Sequence, residues 1–382
     1  MQAQKFLDIL ENLSGTFYTG VPDSLLSPLI DAIVERHGVS ERHIVAANEG
    51  SAVGLAAGYY LASSRPAVVY MQNSGIGNAV NPICSLLHKK VYAIPVLFVI
   101  GWRGEPGIND EAQHTFQGEV TPAMLRCLEI PYVIVSKETG ASDIVLACEE
   151  FGHHIKDGQS VAFLIRKDAL VNDKKIKYSL DNVHELSREE ALKTILTVAD
   201  KSIEEVYVCT TGKLSREVFE LRRQQGSGHS RDFPAVGSMG HSLMIAYGIA
   251  LEKPEKRVFC LDGDGSVLMH MGNLAMVGAN APNNITHIVI NNGAHETVGG
   301  LPAASSRLNL SEIAHAMGYI KTFRVFGSKE LADALKSISG FNGPVFIEVM
   351  CSLSSRADLG RPAATPIQNK NNFMSFLSGM VE

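Results

Sequence analysis

The densest chemistry in this sequence stands where two apolar runs end. RVFCL is followed by Asp262-Gly263-Asp264-Gly265-Ser266, and ITHIVI by Asn291-Asn292-Gly293-Ala294. Glycines on both sides of an aspartate let the backbone approach an anion closely, and Asp264 between them offers a carboxylate to a hard cation. An asparagine amide and a backbone carbonyl at the next run's end are oxygen donors of the kind magnesium takes, in a near-octahedral shell shared with phosphate oxygens and water. A tight turn would account for either peptide alone. Together, with one helical pattern and one apolar run between them, they point to a cation and a phosphate-bearing anion.

Other candidates share this placement. Asn48-Glu49-Gly50 closes the run HIVAA and opens SAVGLAAGYYLA, so Glu49 sits at a helix N-terminus, where a carboxylate is electrostatically favoured. The Gly and Ala content of that helix implies close packing against something. Ser238-Met239-Gly240 lies in GSMGHSLMIAYGIAL, at a helix start after a glycine turn. Thr210-Thr211-Gly212-Lys213 follows EEVYVC but is no P-loop, because Tyr207 occupies the position of the required first glycine and Leu214 that of the Ser/Thr.

Groups at strand ends need strands. Short apolar, β-branched runs at 16–19, 43–47, 67–71, 94–100, 132–135 and 161–165 alternate with helical patterns at 23–36, 49–63, 78–88, 120–129 and 140–155. Continuous runs such as IPVLFVI suit strands buried on both faces, hence a parallel sheet covered by helices. The polar stretch 168–190 interrupts the pattern, and Ser187 to Glu190 then has the spacing of a capping box. A second alternating set follows, with strands expected at 205–210, 257–262, 285–291, 320–325 and 345–349 and a turn-rich tail from about 351. The expected class is α/β, two tandem open doubly wound parallel-sheet domains over 1–170 and 187–382, joined by a linker at 171–186.

Bulk properties agree. The 382 residues, 45% hydrophobic and 19% charged, suffice for two cores. A net charge of −6 without a basic run argues against nucleic acid or an anionic membrane as partner. The longest apolar stretch, VYAIPVLFVIG, is too short to span a bilayer, and the N-terminus does not read as a signal peptide. Six scattered cysteines without a CxxC pair read as buried, reduced thiols of a cytoplasmic protein. A nicotinamide oxidoreductase would need GxGxxG after an early strand, but Gly75-Ile76-Gly77 lacks the third glycine, the position being Val80.

GDGS followed by one helix, one strand and NN resembles the cofactor signature of thiamine diphosphate enzymes. That resemblance implies that Asp264, Asn292 and the carbonyl of Ala294 bind Mg²⁺, and that Gly263, Gly265 and Ser266 hold the diphosphate, with Thr211, Gly212 and Lys213 as further contacts. It places Glu49 on N1′ of the aminopyrimidine, Ser238 and Gly240 on the same ring through backbone, and Met239 as the wedge that bends the cofactor. Met71-Gln72-Asn73-Ser74-Gly75-Ile76-Gly77-Asn78, RGEPGINDEAQHTFQG, NNGAHETVGG and ADLGRPAATPIQNK are similar to the phosphonopyruvate decarboxylase family, with sulfopyruvate decarboxylases next. Asn73, Ser74 and Gly75 are accordingly cofactor candidates, and Ala112 departs from the proline expected there. The chain has no room for the middle domain of the larger members.

The implied reaction is loss of CO₂ from a small 2-oxo acid, phosphonopyruvate first and sulfopyruvate as the alternative. Arg103, His114, Arg356 and Arg361 are candidate counter-charges for the phosphonate, His114 and Arg361 foremost. Glu49, His114 and His295 are the candidates for moving protons. A regulatory, binding-only subunit would lose Glu49 or Asp264, and both are present. In the related enzymes the cofactor lies between subunits, which implies a homodimer or higher homo-oligomer.

Overall fold

The structure, a computed structural model, describes residues 1–172, 176, 178, 182–200, 204–356, 358–360 and 364–379. The chain forms two compact units, Met1–Ser179 with His295–Leu301, and Leu180–Ala294 with Pro302–Glu382. Segment 295–301 thus groups with the first unit, although the chain order had placed it in the second domain.

In unit 1 the elements run α1 (Ala3–Leu13), β1 (Tyr18–Gly20), α2 (Ser27–His37), β2 (His43–Val45), α3 (Glu49–Ser63), β3 (Val68–Gln72), α4 (Ile76–Pro82), β4 (Leu97–Gly101), α5 (Ala112–Cys127), β5 (Tyr132–Val135), α6 (Ala141–Lys156) and β6 (Val161–Ile165). The six strands form one parallel sheet in the order β2-β1-β3-β4-β6-β5. Apolar clusters lie on both faces, so β4 and β6 are buried at every residue. That double burial is why these strands are continuously apolar. From β1 the chain winds outward to β2, then crosses back to β3 on the other side. The crevice beyond the carboxyl ends of β1 and β3 is therefore the switch point, where open α/β sheets take ligands.

The chain continues through α7 (Arg188–Val198), β7 (Glu205–Cys209), α8 (Lys213–Gln224), β8 (Asp232–Pro234), α9 (Ser242–Glu252), β9 (Arg257–Gly263), α10 (Asp264–Met269), α11 (Gly272–Asn280) and β10 (Ile285–Asn291). Two-residue strands β11 (Ala294–His295) and β12 (Leu301–Pro302) come next, then α12 (Leu310–Ala316), β13 (Lys321–Val325), α13 (Ser328–Ser337), β14 (Val345–Met350) and α14 (Pro366–Leu377). The second parallel sheet has the order β13-β14-β10-β9-β7-β8, with its switch point between β7 and β9. The expected capping box forms at α7: Ser187 Oγ accepts from Glu190 N at 3.2 Å and Glu190 Oε2 from Ser187 N at 3.1 Å.

Four expectations need correction. Helix α5 begins at Ala112 rather than near 120, so His114 lies in its first turn. The tail carries α14, started by a Thr365–Gln368 capping box with Pro366 at its first position. Cys84 and Cys127 are exposed, while the other four thiols are buried. Strand β8 went unseen because charge rather than an apolar run holds it. Fully buried Arg222 on α8 donates to Asp232 Oδ1 at 2.8 Å and Oδ2 at 2.9 Å, and also to Asp200. Arg222→Ala leaves those carboxylates without their partner and should destabilise unit 2 by about 3–5 kcal/mol. Urea unfolding followed by circular dichroism checks this, and an unmoved midpoint would rule out the pair as the fastener of β8.

Candidate active site

In unit 1 the candidates collect at the β1/β3 switch point. Asn48 caps α3, its Oδ1 accepting from Gly50 N at 2.7 Å, and this presents Glu49 as the first helical residue. Glu49 is buried at 5% exposure, and its Oε2 accepts from Asn78 Nδ2 at 2.8 Å. Gly75, in the single turn of 3₁₀-helix Asn73–Gly75 after β3, makes room for it: a Cβ at position 75 would lie 2.4 Å from Glu49 Oε1. The structure thus brings Glu49 and Gly75 together. Asn73 and Ser74 turn their side chains to the protein instead. Asn73 Nδ2 donates to Arg103 O and to Thr121 Oγ1, both at 2.9 Å, and Ser74 Oγ donates to Gln72 Oε1 at 2.7 Å.

Gln72 leads to a group that the sequence had not singled out. Its Nε2 donates to Asp23 Oδ1 at 2.9 Å, and burial pushes the Asp23 carboxyl up against the hydrogen bonds from Gln72 and Leu25 N. Asp23 lies in Val21-Pro22-Asp23-Ser24, directly after β1, so its place at a strand end was the available signal.

In unit 2 the loops after β7, β9 and β10 hold the rest. Asp264 begins α10 at 6% exposure, and burial raises its carboxyl to about 6 despite hydrogen bonds from Ser305 Oγ and the backbone N–H groups of Gly265 and Gly293. Gly293 comes from the Asn291–Ala294 loop, so the two motifs meet as their spacing implied. Asn292 Oδ1 accepts from Ala294 N at 3.1 Å, and Asn182 Nδ2 secures the backbone by donating to Asn292 O at 3.0 Å. Gly263 fronts open space, a Cβ there meeting nothing within 4 Å. Ser266 is a fastener: its hydroxyl accepts from Gly240 N at 3.0 Å and from Thr210 Oγ1 at 3.2 Å.

The turn tied down by Ser266 is strained. Ser238 has φ 54°, a left-handed value that a non-glycine residue adopts at a cost, and Gly240 has φ 87°. Met239 between them is half-buried. Thr211 Oγ1 donates to Val236 O at 2.8 Å, Gly212 turns at φ 94°, and Lys213 Nζ donates to Ser355 Oγ at 2.6 Å. Thr211 therefore spends its hydroxyl proton on loop geometry, whereas Ser266 only accepts in these bonds and keeps its proton to donate.

The anion candidates divide. Arg103 and His114 both reach Asp110, Arg103 through a fork and His114 through Nδ1 at 2.9 Å. Arg356 is not a free counter-charge: Glu189 accepts from it at 2.9 Å, Glu220 accepts as well, and Asp358 stands 3.5 Å away. Arg361 lies outside the described residues. His295 groups with unit 1, where Val298 and Leu301 of the same segment enter the core, and desolvation pushes its imidazole down to about 4. Ser305 was not anticipated, and Asn78 and Asp110 lay in family-like segments without a role of their own, because each acts through a partner that its own neighbourhood does not reveal.

The donors fit the implied groups. A buried carboxylate with no cationic partner among its described hydrogen bonds, joined through Gly293 N to the loop that carries Asn292 and Ala294, suits a hard divalent cation. Glycine-lined open space at Gly263 suits an approaching diphosphate. Residues 2–125 match the family "Thiamine pyrophosphate enzyme, N-terminal TPP binding domain", and residues 210–349 match the C-terminal TPP binding domain. The phosphonopyruvate decarboxylase of Streptomyces viridochromogenes is 32% identical, over 97% of this chain and 94% of that protein. The chain belongs to the phosphonopyruvate decarboxylase family of thiamine diphosphate enzymes. It is a carboxy-lyase of that family, and the α/β class with two parallel sheets agrees with the expectation. The phosphonopyruvate decarboxylase of Streptomyces hygroscopicus is 31% identical over 97% of the chain and 93% of its own length. A sulfopyruvate decarboxylase of Methanosarcina acetivorans is 25% identical over 91% and 90%.

Gly75→Ala tests the Glu49 niche. The added methyl must displace the carboxylate, so turnover should fall by on the order of 10²-fold, the scale of a misplaced acid–base group. Cofactor affinity should change far less. Wild-type turnover in Gly75→Ala would show that the position of Glu49 is immaterial.

Proposed function

We propose that this enzyme decarboxylates phosphonopyruvate to phosphonoacetaldehyde and CO₂ with thiamine diphosphate and Mg²⁺, as a step in making phosphonates. The observation that carries the reading is likeness to two phosphonopyruvate decarboxylases along nearly the whole chain. A second reading keeps the cofactor and takes sulfopyruvate, on the weaker whole-length likeness to a sulfopyruvate decarboxylase.

In this proposal thiamine diphosphate, when bound, supplies the electron sink for the pair released with CO₂. Glu49 holds a proton at N1′ of the aminopyrimidine, and the amide of Asn78 and the niche at Gly75 fix where that proton sits. Asp264, Asn292 and the Ala294 carbonyl hold Mg²⁺. Gly263, Gly265 and Ser266, with the Thr211-Gly212-Lys213 turn, hold the diphosphate. Ser238, Met239 and Gly240 support the pyrimidine, and Asn73 and Ser74, whose side chains bond to the protein, belong to the cofactor site through the turn that they form before Gly75. His295 stays a candidate for moving protons, and burial, which pushes its imidazole down to about 4, keeps it neutral near pH 7 and makes it a weak base there.

The base half and the metal half lie in different units, and we assign their meeting to a homodimer or higher homo-oligomer. An uncovered stripe on α3 supports this: Leu55 and Leu61 are 38% and 71% exposed beside Gly54 and Gly58, whose Cβ positions meet nothing within 4 Å. Sedimentation should show at least a dimer, and a monomer with full activity would contradict the assignment. No described helix is long and apolar enough to cross a membrane. A cytoplasmic location is part of the proposal.

The direct test mixes protein, Mg²⁺ and thiamine diphosphate with phosphonopyruvate, sulfopyruvate or pyruvate and follows CO₂ release, with phosphorus NMR for the product. Cofactor-dependent turnover should be strongest on phosphonopyruvate. Preference for sulfopyruvate would overturn the substrate and keep the chemistry. Glu49→Ala should retain cofactor binding and lose most turnover, roughly 10²–10⁴-fold for an acid–base group. Asp264→Ala should lose cofactor binding itself. Near-normal turnover of Glu49→Ala would remove the proton role.

A further inference from the structure

At the carboxyl end of β4 the chain runs Trp102-Arg103-Gly104 and folds back through Asp110 into α5. A cavity of about 350 Å³ opens there within unit 1, walled by Ser24 after β1, by Arg103 and Asp110, and by Lys167 after β6. Arg103 is fixed at both ends. Its backbone N–H donates to Asn73 Oδ1 at 3.2 Å while its carbonyl accepts from Asn73 Nδ2 at 2.9 Å. Its guanidinium forks onto Asp110, Nε to Oδ2 at 2.8 Å and Nη2 to Oδ1 at 2.6 Å. The third edge remains, with Nη1 3.3 Å from the hydroxyl of Ser24.

Asp110 is built to hold that aim. It also accepts from Gly104 N at 3.0 Å, Glu111 N at 2.7 Å and His114 Nδ1 at 2.9 Å. Burial pushes its carboxyl up, but the donors from Arg103, His114 and the backbone outweigh this and hold it well below the usual carboxylate range. The side chains of Arg103, Asp110 and His114 are only 20%, 15% and 12% exposed, so the cluster has little room to rearrange. The other acids on the wall have partners of their own: Glu105 pairs with Arg166 at 2.7 Å and Asp168 with Lys137 at 3.3 Å. The cavity thus presents one aimed guanidinium edge, one lysine and the hydroxyls of Ser24 and Ser27.

We propose that this cavity is the subsite for the tetrahedral anionic tail of the substrate, met by Arg103 and Lys167, with Asp110 as the positioning residue that aims Arg103. The inference rests on the reading that the substrate is a 2-oxo acid carrying such a tail. It adds Lys167 and Ser24, which no motif marked, and gives Asp110 a role opposite in sign to its charge. If Asp110 only diluted positive charge, its neutralisation would tighten anion binding. As an aiming device, its loss weakens binding although the site becomes more positive.

The test uses the full-length protein and the unreactive probe 3-phosphonopropionate, titrated while its phosphorus line width is followed. Wild type should broaden the line to saturation. Arg103→Gln and Lys167→Gln should each weaken binding roughly 10- to 100-fold, the range for losing a charge-assisted hydrogen bond. Arg103→Lys keeps the charge without the fork and should recover only part of that loss. Asp110→Asn should weaken binding as well, and tighter binding in it would overturn its positioning role. Unchanged affinity in Arg103→Gln would overturn the subsite. Turnover separates the two levels of inference. If wild type decarboxylates phosphonopyruvate and Arg103→Gln keeps its KM, the subsite falls and the functional reading stands. If the probe binds through Arg103 but phosphonopyruvate is not turned over, the subsite stands and the functional reading falls.

Discussion

A carboxylate kept out of water sets the terms for unit 2. Asp264 heads α10 nearly buried, and burial raises its carboxyl to about 6 even with Ser305 and two neighbouring backbone N–H groups donating to it. Holding an ionised group in such surroundings costs several kcal/mol unless opposite charge arrives. In the proposed function Mg²⁺ would be that charge, and the loops that carry its proposed oxygen donors are tied down by side-chain amides. Asn291 spends Nδ2 on Glu348 and Oδ1 on Gly293 N, Asn182 holds the carbonyl of Asn292, and Asn273 holds that of Gly240. Removing any of these contacts would leave the ligands in place as residues while loosening them as a set.

Both units meet the same topological constraint with different chemistry. Parallel strands return through helices, so every strand ends at one edge, and the free crevice at that edge lies where the winding reverses. In unit 1 the crevice between β1 and β3 is furnished by side chains, with Glu49, Asp23, Gln72 and Ser74 turned toward neighbours across the strand ends. In unit 2 the crevice between β7 and β9 is furnished mainly by backbone, as the glycines at 263 and 265 and the left-handed turn at 238–240 show. That division suits a polar, proton-handling ring on one side and a multiply charged anion on the other.

Legibility followed the range of the forces involved. Strands 132–135, 161–165 and 285–291 form at the residues expected, because burial on both faces writes itself as a continuous apolar run. That the GDGS and NN peptides share one place was legible because each closes an apolar strand, and the structure joins them through Gly293 N and Asp264. The first turn of α5, Ala112-Gln113-His114, has no apolar period, and Asp110 ahead of it draws its meaning from Arg103. Ser305 serves Asp264 across 41 residues, and nothing in Ser305-Ser306-Arg307 announces it. The Thr365–Gln368 box was present to be read, but the surrounding prolines and small residues hid the helix that it starts.

The arginines show why residue type alone could not rank the anion contacts. Arg103 and Arg356 are both forked onto carboxylates, and isolated on the page either could meet a phosphonate. Arg356 faces Glu189, Glu220 and Asp358, so the local balance is negative, and Gly360 N joins it on Glu220 to pin the tail. Its partners lie 167 and 136 residues away in the chain, beyond any local pattern. Arg103 forks onto one carboxylate, Asp110, which it shares with His114, while Asp23 and Glu111 act on it only through space, and it keeps one edge on a cavity. A guanidinium surrounded by acids is a brace. One that is forked onto one acid and left open on one side is what the proposed subsite needs, because the acid fixes its direction without covering it.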